Sequence, residues 1–412
     1  MNNRRVVVTG LGVISALGRN AAEFWQSLSQ GQSGIAPLES VDRIHLRFQN
    51  GAEVRRYQAE DYFDKTQRRR LDRFAQFGLI AAREAVADSR IEWTPTVQER
   101  TGVVTGSGIG GQSTQDEEYL DLYGPERTRT NPLTVPRVMP NAAASHISMT
   151  YGLTGPAYTV STACSSSNHA IGQAFWMVRS GLIDVAITGG SAAPFSFGNL
   201  KAWEALRVVT TDTCRPFCKR RSGMILGEGG AMFVLETLKR ARTRGASVYG
   251  EIVGLGMSAD AHHLVQPSFE GAARAMRAAL RDGGLAPEAI GYVNAHGTGT
   301  LTNDPMETKA LRAVFGTHAE CLAVSSTKSM HGHALGAAGA LEGAATLLAL
   351  RHGLLPPTAN FIEPDPACDL NVIPNEARPA TIEAALSNSF AFGGLNAVLA
   401  FRRWDEGRGK GQ

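Results

Sequence analysis

Tyr158-Thr159-Val160-Ser161-Thr162-Ala163-Cys164-Ser165-Ser166-Ser167-Asn168-His169-Ala170 passes from a strand-like run, through a turn of small hydroxyl residues, into an apolar-periodic stretch. The periodicity predicts a helix to about Arg179, stopped by Ser180-Gly181. Strand, tight turn and long helix form the building unit of an α/β protein, and the unit recurs on both sides. Upstream, Val6–Val8 reads as a short strand ending in Gly10-Leu11-Gly12. A helix is predicted from Phe74 to Val86, ending near Asp88, and Gly102–Thr105 reads as a strand entering Gly106-Ser107-Gly108-Ile109-Gly110-Gly111. Downstream, the strand Val185–Thr188 ends at Gly189-Gly190. Apolar strands flanked by helices predict a mainly parallel, covered sheet.

The second part of the chain repeats this order. Ile252-Val253-Gly254-Leu255-Gly256 echoes Val8-Thr9-Gly10-Leu11-Gly12, and the helix Ala272–Leu280, closing at Asp282-Gly283, echoes the one closing at Asp88. Tyr292-Val293-Asn294-Ala295-His296-Gly297 stands where Val103-Val104-Thr105-Gly106-Ser107-Gly108 stood. The helix Leu341–Leu350, closing at Gly353, echoes the one closing at Gly181, and Ser387–Gly394 echoes the strand ending at Gly190. The interval is far too long for a solenoid repeat. It predicts two related βα halves in one layered body: residues 1–250, residues 251–404, and a polar, Gly-rich tail at 405–412.

Composition narrows the function classes. The chain has 412 residues, 43% of them hydrophobic, which is enough for a large buried core. A net charge of +3 is too small to argue for nucleic acid. No run of eighteen apolar residues predicts a membrane span, and no signal peptide precedes the first strand. Five cysteines without framework spacing fit a reducing cytoplasm.

Three segments carry chemistry. Cys164 is expected at a helix start, where the dipole and free N–H groups favour a thiolate able to take an acyl group from a thioester. The plainer reading is a small buried cysteine. Asn294-Ala295-His296-Gly297-Thr298-Gly299-Thr300 ends a strand-like run in a turn of small residues. Ser326-Thr327-Lys328-Ser329-Met330-His331-Gly332-His333 sets a lysine and two histidines ahead of Ala334-Leu335-Gly336-Ala337-Ala338-Gly339. One such histidine would ordinarily be structural. Two of them, in the half opposite the cysteine, fit a converging site.

With these flanks, the order Cys, His, His resembles the β-ketoacyl-acyl-carrier-protein synthases of the elongating type II kind, from Val6–Gly12 to Phe392-Gly393-Gly394-Leu395-Asn396. Lys201–Ala205, Asp212–Phe217, Asn303–Thr308 and Lys328–His331 are similar to the nodulation protein E group within it. The resemblance implies a thiolase-like layered αβαβα fold and a decarboxylative Claisen condensation that extends an acyl chain by two carbons. It makes Cys164 the acylated nucleophile and gives His296 and His333 the decarboxylation of the malonyl group. Lys328 becomes electrostatic support, and Glu342 orients the cluster. The backbone N–H groups of Cys164 and Phe392 form the oxyanion hole, and Phe392 is also the gate. The family spacing from Lys328 selects His333; His331 takes a place usually held by threonine.

The resemblance further assigns Ile109 and Phe195 to the acyl pocket, and Thr298, Thr300 and Asn396 to the side of the substrate arm. Lys65, Arg68, Arg69 and Arg207 become a dock for an acidic acyl carrier protein, where a solvated helix face is the plainer reading. No metal or bound cofactor is implied; phosphopantetheine on the carrier brings acyl and malonyl thioesters. The implied assembly is a homodimer, or the catalytic member of a ketosynthase/chain-length-factor heterodimer in polyketide or polyene synthesis. Val265 and Leu395 depart from threonines usual in the family.

Other signals carry less. Gly106–Gly111 fits a dinucleotide fingerprint but lies in the wrong strand unit. Cys214 and Cys218 lack a second ligand pair for zinc. His262-His263 reads as structural. A degradative thiolase would need a second cysteine in the loop Phe390–Asn396, which has none.

Overall fold

The β-branched run at Val6 opens a strand that continues through the glycines: β1 spans Val6–Ser15, and every residue is buried. A Cβ at Gly10 or Gly12 would overlap the carbonyl oxygen of Ala85 or Ala81, so both glycines let a helix lie directly on the strand. The strand end expected at Gly10-Leu11-Gly12 is thereby corrected to Ser15. The second half repeats the contact, with Gly254 and Gly256 against the carbonyls of Ala279 and Ala275. In each half an aspartate then takes the N–H of the intervening leucine: Asp88 that of Leu11 at 3.0 Å, Asp282 that of Leu255 at 2.9 Å.

This computed structural model describes residues 4–124 and 128–405, so the tail expected at 405–412 lies, beyond Asp405, outside the described residues. After β1 the central sheet contains β2 (Thr101–Gly106), β3 (Ala157–Val160), β4 (Val185–Ala192), β5 (Gly229–Thr237) and β6 (Gly250–Ala259). It continues with β7 (Ile290–Asn294), β8 (Ala323–Ser325), β9 (Asn371–Val372), β10 (Ala384–Ala391) and β11 (Leu395–Arg403). Their spatial order is β9-β8-β7-β10-β11-β6-β1-β5-β4-β2-β3. The run β3-β2-β4-β5-β1 is therefore matched strand for strand by β8-β7-β10-β11-β6. The two runs meet where β1 pairs with β6 over only Val6–Val8 and Gly250–Ile252. The sheet is mixed: β2, β3 and β4 are parallel, but β5 is antiparallel to both β1 and β4.

Six helices position the site: α1 (Arg73–Ser89), α2 (Ser166–Ser180), α3 (Phe269–Gly283), α4 (Asn303–Phe315), α5 (Lys328–His331) and α6 (Ala338–His352). α1 covers the outer face of the first run, and α3, with α4 beside it, covers that of the second. α2 and α6 pack on each other and on strands of both runs, which makes them the middle layer of an αβαβα body. Their sequences show it: α6 is buried without interruption from Ala338 to Leu350, as a helix apolar on every side must be.

Candidate active site

Cys164 lies in the 3₁₀ turn Ala163–Ser165 that leads into α2, with Ala163 in the left-handed region at φ 49°. A left-handed alanine costs on the order of 1–2 kcal/mol, and the sharp turn sets the thiol on a 330 Å³ cavity. His296 and His333 line the same cavity from the other half, as do Thr298, Thr300 and Phe392. The two imidazole rings stand perpendicular, 5.5 Å apart. Phe392 stacks on Trp203 at 6.2 Å, and the ring of Phe390 lies 5.9 Å from that of His296.

The thiol corrects one expectation. Cys164 precedes the helix proper, and burial pushes its pKa up to about 11, outweighing the downward pull of Lys328. Glu342 adds to the rise, while the backbone N–H groups of Phe392 and of Cys164 itself lower it. The helix start therefore does not deliver a resting thiolate. The two N–H groups are placed to stabilise negative charge that develops near the sulfur.

Both histidines are held neutral. Burial carries each well below the ordinary imidazole range, and the charge of Lys328 pushes in the same direction. Lys328 is wholly buried; its ammonium donates to the His296 carbonyl at 2.6 Å and approaches His296 Nδ1 at 3.4 Å. An ammonium has only donors, so Nδ1 accepts and the ring hydrogen resides on Nε2. Glu342, inside α6, pairs with Lys328; burial raises its carboxyl to about 7 against that pull. His333 is fixed by its backbone N–H, donated to the Ile225 carbonyl at 2.7 Å, and its Nδ1 has no partner among the described residues.

Glu307 was not singled out from the sequence. From α4 its carboxylate takes the N–H groups of His296 and Gly297 at 2.9 and 2.8 Å, and Asn388 Nδ2 at 3.1 Å. Asp304, one turn earlier, takes those of Phe217 and Gly299 at 2.8 and 3.2 Å. Two acids three residues apart on one helix were the available signal. His263 Nδ1 accepts from Val265 and Gln266, both at 3.1 Å, and so organises a cavity-lining loop that also presents Val265.

Other expected residues fall elsewhere. Asn396 is buried and hydrogen-bonds Asp260 at 2.7 Å and Ser258 at 3.2 Å, so its amide fixes the 258–260 segment and does not line the cavity. Leu395 beside it begins β11. Ile109 is 43% exposed and also lies off the cavity. It belongs to the turn that abuts the nucleophile, where Ser161 donates to the Gly108 carbonyl at 3.1 Å. Phe195 borders a separate 520 Å³ cavity with Thr114, Arg137 and Phe197. Lys65, Arg68 and Arg69 share a 600 Å³ surface concavity with Asn131 and Arg137, neither of which stood out in the sequence. Arg68 is not free there, since it pairs with Glu60. Arg207 is apart from this group, exposed between the cavity-lining Leu206 and Val208. Among the described residues no cluster of His, Cys, Asp and Glu is arranged to hold a metal, and no helix is long and apolar enough to cross a membrane.

A buried thiol, two neutral imidazoles and two converging N–H groups on one cavity define a thioester-condensing acyltransferase. The chain belongs to the β-ketoacyl synthase family: residues 3–241 match the beta-ketoacyl synthase N-terminal domain and residues 249–362 the C-terminal domain. It is 47% identical to nodulation protein E of Rhizobium sp. (strain N33), over 97% of this chain and all of that protein. It is 40% identical to 3-oxoacyl-[acyl-carrier-protein] synthase 2 of Staphylococcus aureus (strain COL), over 98% of this chain and 99% of that one. Among solved structures, the ishigamide ketosynthase/chain length factor superposes with a TM-score of 0.92 at 35% identity, covering 98% of this chain and all of the other. The chain is accordingly an acyltransferase that extends acyl chains by condensation.

Proposed function

We propose that the half 1–250 supplies the nucleophile and the half 251–404 the decarboxylating pair, and that substrates arrive on the phosphopantetheine of an acyl carrier protein. The observation that carries this is the convergence of Cys164, His296 and His333 on one cavity. In the first half-reaction the acyl group moves from the carrier sulfur to Cys164, and the thiol proton goes to the departing carrier thiolate. Acylation thus removes the proton that burial holds on the sulfur. In the second, the malonyl thioester loses carbon dioxide and places enolate charge on its carbonyl oxygen. Neutral His296 and His333 donate hydrogen bonds to that oxygen. The carbanion attacks the acyl-Cys164 carbonyl, the new C–C bond forms, the C–S bond breaks, and Cys164 takes a proton. The N–H groups of Cys164 and Phe392 hold the tetrahedral oxyanion, and Phe392 gates the nucleophile. Lys328 and Glu342 set the electrostatics, while Thr298 and Thr300 face the pantetheine arm.

The acidic carrier docks on Lys65, Arg68, Arg69 and Arg137, with Arg207 guiding it toward the cavity mouth. Ile109 and Phe195 border the route of the acyl chain, as part of a homodimer in the cytoplasm. A second reading is favoured by the structural neighbour described as a ketosynthase/chain length factor: this chain as the catalytic member of a heterodimer. Cys164 and both histidines suit it to that role. No metal or resident cofactor takes part in either reading.

Intact-protein mass spectrometry after mixing with acyl carrier proteins of differing chain length and unsaturation tests the proposal. An acyl adduct that is lost in Cys164→Ala supports it, and the preferred chain identifies the substrate. A folded dimer that takes no acyl group from any carrier favours the heterodimer.

A further inference from the structure

His331 is the one histidine of the catalytic turn to which the mechanism gives no task. It does not line the cavity, yet it is fully buried. Its ring spans the short helix α5 from one end to the other. Nδ1 lies 2.8 Å from the carbonyl oxygen of Gly332, the residue that ends the helix, and Nε2 lies 3.0 Å from Oγ1 of Thr327, the residue that begins it.

The direction of each bond follows from its partners. A carbonyl only accepts, so Nδ1 carries the ring hydrogen. Nε2 is then an acceptor, and the Thr327 hydroxyl donates to it. The same hydroxyl oxygen is 3.3 Å from Asn294 Nδ2, which donates. The result is one directional chain, Asn294 to Thr327 to His331 to Gly332. Asn294 is the last residue of β7, two before His296, whereas Gly332 immediately precedes His333. The backbone of α5 is closed by a few short-range bonds, Met330 and His331 to the Thr327 carbonyl at 3.0 and 3.2 Å and Gly332 to the Lys328 carbonyl at 3.0 Å. A helix of four residues does not hold its own shape.

We propose that His331 is a positioning residue, whose ring staples both ends of α5 and ties that turn to the end of β7, thereby fixing Lys328 and His333 relative to His296. The inference rests on the proposed roles of His296 and His333. The staple is insensitive to pH in the working range: burial, reinforced by the charge of Lys328, lowers the ring to about 3, so it stays neutral and keeps its tautomer. Threonine, the usual occupant by resemblance, has a single, shorter polar atom, whereas the imidazole carries two on opposite sides of its ring and so bonds groups at both ends of α5.

The test separates the two half-reactions, because acylation of Cys164 does not use the histidine pair. For His331→Ala, we expect acyl transfer to Cys164 to fall by no more than about threefold, since only the pull of Lys328 on the thiol is disturbed. The kcat for decarboxylating malonyl carrier protein should fall by about ten- to a hundredfold with KM little changed, as displacement of a catalytic group by an ångström would cause. His331→Asn retains a donor near the Nδ1 position, and His331→Gln an acceptor near Nε2; each should restore part of the loss. Thr327→Val breaks the chain at its middle link without emptying the core, and should reproduce the split in milder form; it carries the test if His331→Ala does not fold. Equal losses in both half-reactions, or none in either, would overturn the proposal. A folded wild-type enzyme unable to decarboxylate malonyl carrier protein would overturn the parent reading and this one together.

Discussion

The turn Ala163–Ser165 and the turn Leu335–Ala337 are counterparts in the two halves. Both are 3₁₀ turns entered through a left-handed residue, Ala163 at φ 49° and Leu335 at φ 48°. Each opens into a 15-residue helix that ends at a left-handed glycine, Gly181 or Gly353. They differ at the middle position, which is Cys164 in one and Gly336 in the other. A Cβ at Gly336 would overlap the backbone nitrogen of Gly108, so the second turn is committed to packing against the first half. The first turn instead opens on the cavity and presents a thiol. In the proposed mechanism, what the second half contributes to chemistry comes from neighbouring segments, the ends of β7 and α5. A duplicated scaffold can thus keep one geometry twice and use it once for reactivity and once for close packing.

The largest expected effect tests the reactive turn. Cys164→Ala should abolish acyl capture and condensation yet retain malonyl decarboxylation, read as release of carbon dioxide. Retained condensation would show that the thiol is not the nucleophile. Next in size is the pH dependence of that thiol. Burial raises its pKa to about 11, so the thiolate is scarce at neutral pH and grows as pH rises. Alkylation of Cys164 by iodoacetamide should therefore accelerate about a hundredfold from pH 8 to pH 10, against about fourfold for an ordinary thiol of pKa near 8.5. A rate already level at pH 8 would mean that the turn does stabilise a resting thiolate.

How far the sequence shows all this depends on where each cause resides. The echo of Gly10-Leu11-Gly12 in Gly254-Leu255-Gly256 was legible because a strand and the helix lying on it impose a local pattern of small and apolar residues. Cys164, His296 and His333 were legible because their flanks are distinctive. Glu307 was not, since its main partners are backbone N–H groups, which leave no mark in the sequence. The raised pKa of the thiol leaves no local mark for a related reason. A helix start is a local feature, but desolvation comes from every residue packed around the sulfur. The positions of Asn396, Ile109 and Phe195 relative to the cavity likewise depend on contacts between distant segments.

The packing turn is tested by Gly336→Ala. The added methyl meets backbone, which cannot swing aside, so chemical denaturation should show a loss of about 1–3 kcal/mol or more. A neutral result would mean that the second turn has room to spare and that its glycine is incidental.

The finest test uses the shared left-handed residues. Replacing either with glycine removes the strain of a left-handed side chain, about 1–2 kcal/mol, and adds about 0.5–1 kcal/mol of chain entropy to be lost on folding. Ala163 is only half-buried and gives up little else, so Ala163→Gly should stabilise the protein by up to about 1 kcal/mol. Leu335 is buried among Phe195, Met224 and Leu226, and a leucine truncated in such a setting forfeits about 2–5 kcal/mol. Leu335→Gly should therefore destabilise despite the same relief of strain. Opposite signs at two positions of nearly equal φ would show that the halves share a backbone and differ in what their side chains do, whereas equal signs would mean that the strain itself differs between the turns.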